Sequence, residues 1–407
     1  MVGKMEELSR KELKSLVSQR KNIVIYGAGV LGQGLYCVLK KLGLEKNILG
    51  FMVSEHADHM NDFMGIPIKC MSEFQLEEVT IIVSVKEKFL EDINKNLENV
   101  SEKKYVGIKT LKEIFQYEEL GIPGNMKETA GNMQLTDEEY VTFFIRQIRR
   151  TRLDFEINIV DHCNLNCKCC NHFSPIATPF FLKLEDFEKD MARIAVLTEG
   201  NIGRIWLIGG EPLLHPDIVA FLYSARKFFP DTHITLDTNG TLLLKQKEEF
   251  WQALRATGIE LTLTKYPIDV DYALIDEKMK KEGGKYFYTL SSMVLKTTYH
   301  LPLVEDGELD GTENYIRCWH ANECITVREG RIYTCPIAAH AHYFNEYFDK
   351  NLYVGDRNSI SLYEVENEKE ILDFLKKPIP FCRYCNIAGY TYDLEWGISK
   401  RKISEWI

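Results

Sequence analysis

Apolar and polar residues follow two rhythms along this chain, and the pair of rhythms occurs twice. NIVIY (22–26) is a short unbroken apolar run, as a fully buried strand shows, and the apolar-periodic LYCVLKKLG after it predicts a helix. NILGFMV (47–53), VTIIVSV (79–85) and KKYVGI (103–108) predict further strands, with helical stretches between the last three. Such alternation implies a parallel sheet. Across ELGIPGNMKETAGNM (119–133) the periodicity stops and Gly and Pro accumulate, which predicts a linker. Thr136 and Glu139 then stand at capping-box spacing, so a helix is expected to start there. A second series follows: FEINIV (155–160), RIWLIG (204–209), HITLDT (233–238), IELTLT (259–264) and KYFYTL (285–290). Amphipathic stretches such as LEDFEKDMARIAVLTEG separate them. From about residue 300 the pattern becomes irregular and rich in cysteine.

With 407 residues the chain is long enough for two or three domains. Its 45% hydrophobic and 27% charged content is ordinary for a globular protein. A formal net charge of -10 leaves no basic surplus to neutralise phosphates, which argues against a non-specific nucleic-acid binder. The N-terminal MVGKMEELSRKELKSL has no apolar signal-peptide core, and no run of about eighteen apolar residues predicts a membrane span. A cytoplasmic, reducing location is therefore the expectation. There, clustered cysteines favour metal or redox ligands over structural disulfides.

The clustering is dense. DHCNLNCKCC, from Asp161, holds four of eleven cysteines, and Cys163, Cys167 and Cys170 stand as C-x3-C-x2-C directly after a predicted strand. Closely spaced thiolates on one loop can wrap an iron–sulfur cubane, and three ligands leave one iron open for a small molecule. Zinc would ask for a fourth ligand, for which His162 or His172 is at hand. Further on, the strand RIWLIG runs straight into GGEPLLHP. In these two motifs, in this order, the sequence resembles the radical S-adenosylmethionine (radical SAM) superfamily over roughly residues 150–300. The resemblance implies a partial (βα)6 TIM-type barrel and a [4Fe-4S] cluster on Cys163, Cys167 and Cys170 that chelates S-adenosylmethionine. It also implies that reduction of the bound cofactor yields a 5′-deoxyadenosyl radical for C–H abstraction. Gly209, Gly210, Glu211 and Pro212, with Thr238 and Asn239 in the segment DTNG, are the residues it assigns to the cofactor. Glu211 is expected near the methionine ammonium. The position before the last cysteine, usually aromatic in the family, is Cys169 here; it reads as a small buried residue or as a redox-active thiol. His162, His172 and His215 read as packing or hydrogen-bonding residues.

CWHANECITVREGRIYTC and, some fifty residues later, FCRYC form a second set. Cys318, Cys335, Cys382 and Cys385 resemble the shorter twitch version of the SPASM/twitch auxiliary-cluster domain, which implies a second [4Fe-4S] cluster; a four-cysteine zinc site is the alternative. Cys324 is left over, as a buried thiol or a hydrogen-atom donor.

Gly27, Gly29 and Gly32 make G-x-G-x-x-G between a predicted strand and helix, where such a turn can aim backbone N–H groups at a phosphate. The unit is short, and Glu55 is a weak candidate for a ribose partner, so it resembles a small Rossmann-like domain more than a complete NAD domain. Close helix–strand packing is the competing explanation of the glycines. The expected order is thus an α/β chain: a Rossmann-like domain (1–118), a linker and helix (119–150), a radical SAM core (151–300) and a twitch/SPASM-like extension (301–407). The expected activity is radical SAM modification, by oxidation above all, of a small carbohydrate or polyol, which the Rossmann-like unit suggests is nucleotide-linked. A flavodoxin or ferredoxin would supply electrons, and neither nucleic acid nor membrane is an expected partner. A peptide-modifying maturase is the alternative, although the N-terminal unit does not read as a winged helix. A non-catalytic iron–sulfur redox protein would lack GGEP.

Overall fold

The computed structural model describes all residues except 1–4, 6, 55–61, 101, 123, 150–152 and 290–292. The chain divides into two compact units, residues 1–151 and 152–407. Among the described residues no helix is long and apolar enough to cross a membrane.

The first unit is built on strands β1 (Ile23–Tyr26), β2 (Ile48–Val53), β3 (Asp62–Phe63), β4 (Ile66–Cys70), β5 (Thr80–Val83) and β6 (Lys103–Tyr105), in the spatial order β3-β4-β2-β1-β5-β6. All neighbours are parallel except the β3–β4 hairpin. β1 and β5 are buried along their whole length, as their unbroken apolar runs require of central parallel strands. Leaving the hairpin strand aside, the order reverses between β1 and β5, the doubly wound arrangement in which ligands bind beyond the strand ends at the reversal. The hairpin escapes a reading by periodicity because it is short. It turns through Met64 (φ 54°) and Gly65 (φ 79°), two consecutive left-handed residues.

Residues 119–133, expected as a linker, carry a helix (Gly124–Asn132). The next helix (Asp137–Arg149) starts where the capping box predicts: Thr136 N–H donates to Glu139 Oε2 at 2.8 Å, and Glu139 N–H to Thr136 Oγ1 at 3.2 Å. It packs on the helix Val30–Lys41, where a Cβ at Gly34 would lie 2.5 Å from Ile145. The segment thus belongs to the first unit.

In the second unit, β7 (Leu153–Val160), β8 (Ile202–Gly209), β9 (His233–Thr238), β10 (Glu260–Leu263) and β11 (Tyr286–Tyr288) lie side by side in sequence order, all parallel. Helices Leu184–Leu197, Ile218–Phe228, Glu248–Thr257 and Tyr272–Glu282 connect them. Successive side chains on a strand point to opposite faces. One face sends Phe155, Ile157, Ile205, Leu207, Ile234, Leu236, Leu261 and Leu263 into a core shared with Phe187, Phe221 and Trp251. The intervening positions are largely polar: Glu156, Asn158, Arg204, Asp237 and Thr262. That is the interior of a partial barrel.

The sixth strand departs from a sequential (βα)6 order. Thr297–His300 (β12), next in the chain, pairs antiparallel with Thr391–Glu395 (β16) in a separate ribbon. β13 (Thr326–Arg328) runs parallel to β7 at the other edge, and β14 (Arg331–Tyr333) and β15 (Ser359–Ser361) extend the sheet antiparallel. The cysteine-rich extension therefore shares a sheet with the barrel strands. Strand propensity marks which segments extend; it does not say which edge they join.

Candidate functional site

β7 ends in a buried charge. Asp161 is fully buried, with Oδ2 accepting from Tyr343 at 2.8 Å and from Arg328 at 3.1 Å, while His340 lies 3.5 Å from Oδ1. Burial alone would raise its pKa, but His340, Arg328 and Tyr343 outweigh that and hold it well below the usual carboxylate range. Beyond this anchor the loop turns tightly, with Asn166, Cys169 and Phe173 all left-handed (φ 54°, 59° and 51°).

The turns bring Cys163, Cys167 and Cys170 to one cavity of about 260 Å³, which Gly209, Gly210, Thr238 and Asn239 also line. A Cβ at Gly209 would lie 2.0 Å from Val160 O, and one at Gly210 2.0 Å from His162 O. The two glycines thus let the end of β8 press on the cysteine loop itself, which sets how the cavity closes. Glu211 does not line the cavity. Fully buried, it accepts from Thr238 Oγ1 at 2.6 Å, Asn239 N–H at 2.9 Å and Leu213 N–H at 3.1 Å, tying the end of β8 to the end of β9. Burial pushes its carboxyl up to about 7. Pro212 is buried in the following turn.

The sulfurs are provided with donors. Leu165 N–H lies 3.4 Å and the Asn239 amide 3.8 Å from Cys163 Sγ, and the Trp396 indole N–H 3.3 Å from Cys167 Sγ. Burial pushes the Cys163 thiol up to about 11 and Cys167 up to about 12, and the neighbouring thiols add to the rise. Three thiolates there need a cationic partner, which an iron–sulfur cluster supplies; the donor set and the open cavity fit such a group. Cys169 lines the same cavity, and burial pushes its thiol up to about 11. His162 Nδ1 accepts from Phe180 N–H at 3.4 Å, and His215 bonds to Leu182 O at 2.9 Å. His172 is held neutral by burial, its pKa down to about 3.

The second set also converges. Cys318, Cys335, Cys382 and Cys385 line one small apolar chamber with Leu301, Ile337, Ile379 and Phe381. Ala321 N–H points at Cys318 Sγ, 3.4 Å away. Cys335 caps the helix Pro336–Phe348, whose N-terminal dipole favours a thiolate. Burial pushes the Cys382 thiol up to about 12. Among the described residues no group of three or more His, Cys, Asp or Glu closes around a single metal ion. Four cysteine thiolates lining one apolar chamber fit an iron–sulfur cluster.

Cys324 stands outside this chamber, within hydrogen-bonding reach of Glu156 on β7. Glu156 Oε2 is buried without a partner, and burial pushes the carboxyl up to about 7, with Asp237 adding to the rise. Above the unfolded value near 4.3 the unfolded chain releases this proton while the folded chain keeps it until about pH 7. Wild type is therefore expected to lose stability relative to Glu156→Gln as the pH rises through that window. Denaturant titrations at several pH values measure it; parallel curves for the two proteins would contradict the assignment.

Periodicity and motifs missed Tyr266, Tyr299 and Trp396 in the cavity wall, and the Asp161–Arg328–His340 anchor. The position of Asp161, directly between strand and cysteines, was the available signal.

In the first unit, Gly27 (φ 110°) leaves no room for a side chain: a Cβ would lie 2.7 Å from Val85 and 2.8 Å from Ser84 O. One at Gly32 would lie 1.8 Å from Gly27 O. Packing accounts for these two. Gly29 faces open space at the N-terminus of Val30–Lys41, whose cap makes no side-chain hydrogen bond. Glu55 lies outside the described residues.

A probable GTP 3′,8-cyclase of Pyrococcus abyssi is 31% identical over 150 residues, 35% of this chain and 47% of the relative. A GTP 3′,8-cyclase of Campylobacter lari is 28% identical over 127 residues, 31% of this chain and 39% of the relative. The chain thus spans less than half the length of these curated relatives. The crystal structure of BtrN in complex with AdoMet and 2-DOIA is 17% identical with a TM-score of 0.38, covering 58% of this chain and 94% of that one. Residues 157–288, which hold the three loop cysteines and the ends of β8 and β9, match the Radical SAM superfamily, whose members bind a [4Fe-4S] cluster and S-adenosylmethionine.

Proposed function

We propose that the protein oxidises a hydroxylated small molecule of carbohydrate or polyol type, with Cys163, Cys167 and Cys170 holding the cluster that binds S-adenosylmethionine and Cys318, Cys335, Cys382 and Cys385 holding an auxiliary one. The observation that carries this reading is the pair of separate cysteine chambers, three thiols beside a cavity of about 260 Å³ and four in a small apolar one. When bound, the groups supply a 5′-deoxyadenosyl radical that takes a hydrogen atom from carbon, and an acceptor for the electron left behind. The chain's own residues do the rest. Oxidation of a carbinol also releases the hydroxyl proton, and the carboxylate that lines the cavity, Asp237, is placed to accept it. Asn239 and Thr262 in the same wall add acceptors suited to hydroxyl groups. A reducing protein such as flavodoxin or ferredoxin completes the requirement.

The GTP 3′,8-cyclase relatives favour a second reading, a nucleoside triphosphate substrate. Asp237 in the cavity wall would repel it, although Lys168 lines the same cavity. Anaerobic reconstitution and a panel of polyols, cyclitols, nucleotide sugars and GTP discriminates the two. The expected result is 5′-deoxyadenosine formation that depends on a polyol, with a carbonyl product; dependence on GTP alone would replace this reading with the second.

The first unit takes a phosphate-bearing ligand at Gly29, in preference to NAD. The strand-order reversal and the uncapped helix end support this. Because Gly29 has ordinary φ and free space around it, Gly29→Asp is expected to keep the fold and abolish nucleoside-diphosphate binding in calorimetry of the full chain. Binding unaffected by the added carboxylate would refute the site.

A further inference from the structure

The end of the chain returns to the first cysteine loop. Cys167 and Ile398 form an antiparallel bridge. Lys168 N–H donates to Gly397 O at 2.9 Å, and Ser399 N–H to Asn166 O at 2.7 Å. On one side this strap continues from the β12–β16 ribbon, and on the other Trp406 Nε1 donates to Cys170 O at 3.1 Å. Trp396 opens the strap. Its ring tilts against Tyr266 with centroids 5.5 Å apart, and both rings line the cavity. Its indole N–H, a donor with no acceptor capacity, lies 3.3 Å from Cys167 Sγ.

We propose that Trp396 is a positioning residue that raises the reduction potential of the cluster on Cys163, Cys167 and Cys170 by donating a hydrogen bond to the Cys167 sulfur. The inference rests on the reading of those three cysteines as ligands. A cluster gains negative charge on reduction, and part of it resides on the thiolate sulfurs. A donor aimed at a sulfur therefore stabilises the reduced form more than the oxidised one. The donors to Cys163 come from Leu165, in its own loop, and from Asn239 at the end of β9. Cys167 takes two side-chain donors, Tyr266 and Trp396, and the second comes from 229 residues away, so reducibility is tied in part to the seating of the C-terminal strap.

The test is a redox titration of the reconstituted full-length protein, followed by electron paramagnetic resonance on the signal that changes when S-adenosylmethionine is added. Trp396→Phe keeps a ring against Tyr266 and removes the donor. It is expected to make the cluster about tenfold harder to reduce, a shift of about 59 mV to more negative potential for one electron. Trp406→Phe loosens the same loop at a carbonyl rather than a sulfur, and is expected to leave the potential in place. No shift in Trp396→Phe, or equal shifts in both variants, would overturn the proposal. Should Trp396→Phe fail to take up iron, Trp406→Phe protein labelled with ¹⁵N-indole tryptophan answers the same question. A ¹⁵N coupling on the responsive signal is expected, and its absence counts against the hydrogen bond. A wild type with no signal responsive to S-adenosylmethionine would remove the ligand assignment itself, and the proposal with it.

Discussion

Replacing Cys163, Cys167 or Cys170 by Ala is expected to abolish reductive cleavage of S-adenosylmethionine and to remove the first cluster, while Cys169→Ala keeps both. All four thiols line one cavity, so lining alone does not separate them. Spacing and backbone do. Cys169 sits at a left-handed residue (φ 59°), which turns it away from the run of its neighbours, and C-x3-C-x2-C is complete without it. Loss is expected to be total because a cubane with two protein ligands has no stable hold in a water-accessible cavity. Iron content and 5′-deoxyadenosine yield, measured on the four variants, decide it. Iron lost from Cys169→Ala and retained by Cys170→Ala would show that the ligand set is misassigned.

The second large effect concerns the four-cysteine chamber. A variant lacking Cys163, Cys167 and Cys170 together is expected still to bind about four irons, held by Cys318, Cys335, Cys382 and Cys385. The chamber is apolar and three of its thiols are buried, so emptying it leaves groups that cannot ionise without a metal partner. Further replacement of Cys335 or Cys385 should take the iron away. Metal analysis and the visible absorbance of the variant read both outcomes. Zinc in place of iron would end the redox role of this set.

Much of this arrangement is legible in the residues, and the parts that are not share a cause. The buried central strands announce themselves because Ile23–Tyr26 and Thr80–Val83 are continuous apolar runs, and the Thr136–Glu139 box marks a helix start by local hydrogen bonds alone. The cysteine spacing and GGEP are local too. What escapes is long-range. Nothing near Thr326–Arg328 says that it will join the free edge of β7, and nothing near Trp396 says that its indole will reach Cys167. At Glu211 the motif marks the residue, whereas only the folded chain shows the three internal hydrogen bonds by which it braces the strand ends. The glycines divide the same way, since only the folded chain separates Gly27 and Gly32, which packing explains, from Gly29, which it does not.

The most direct test of the central claim needs no knowledge of the substrate. The protein, reconstituted with iron and sulfide under anaerobic conditions and reduced with dithionite, is incubated with S-adenosylmethionine, and the products are separated by chromatography. Formation of 5′-deoxyadenosine and methionine in equal amounts, absent from Cys163→Ala, is the predicted result. Intact S-adenosylmethionine beside a fully loaded, reduced cluster would contradict the account.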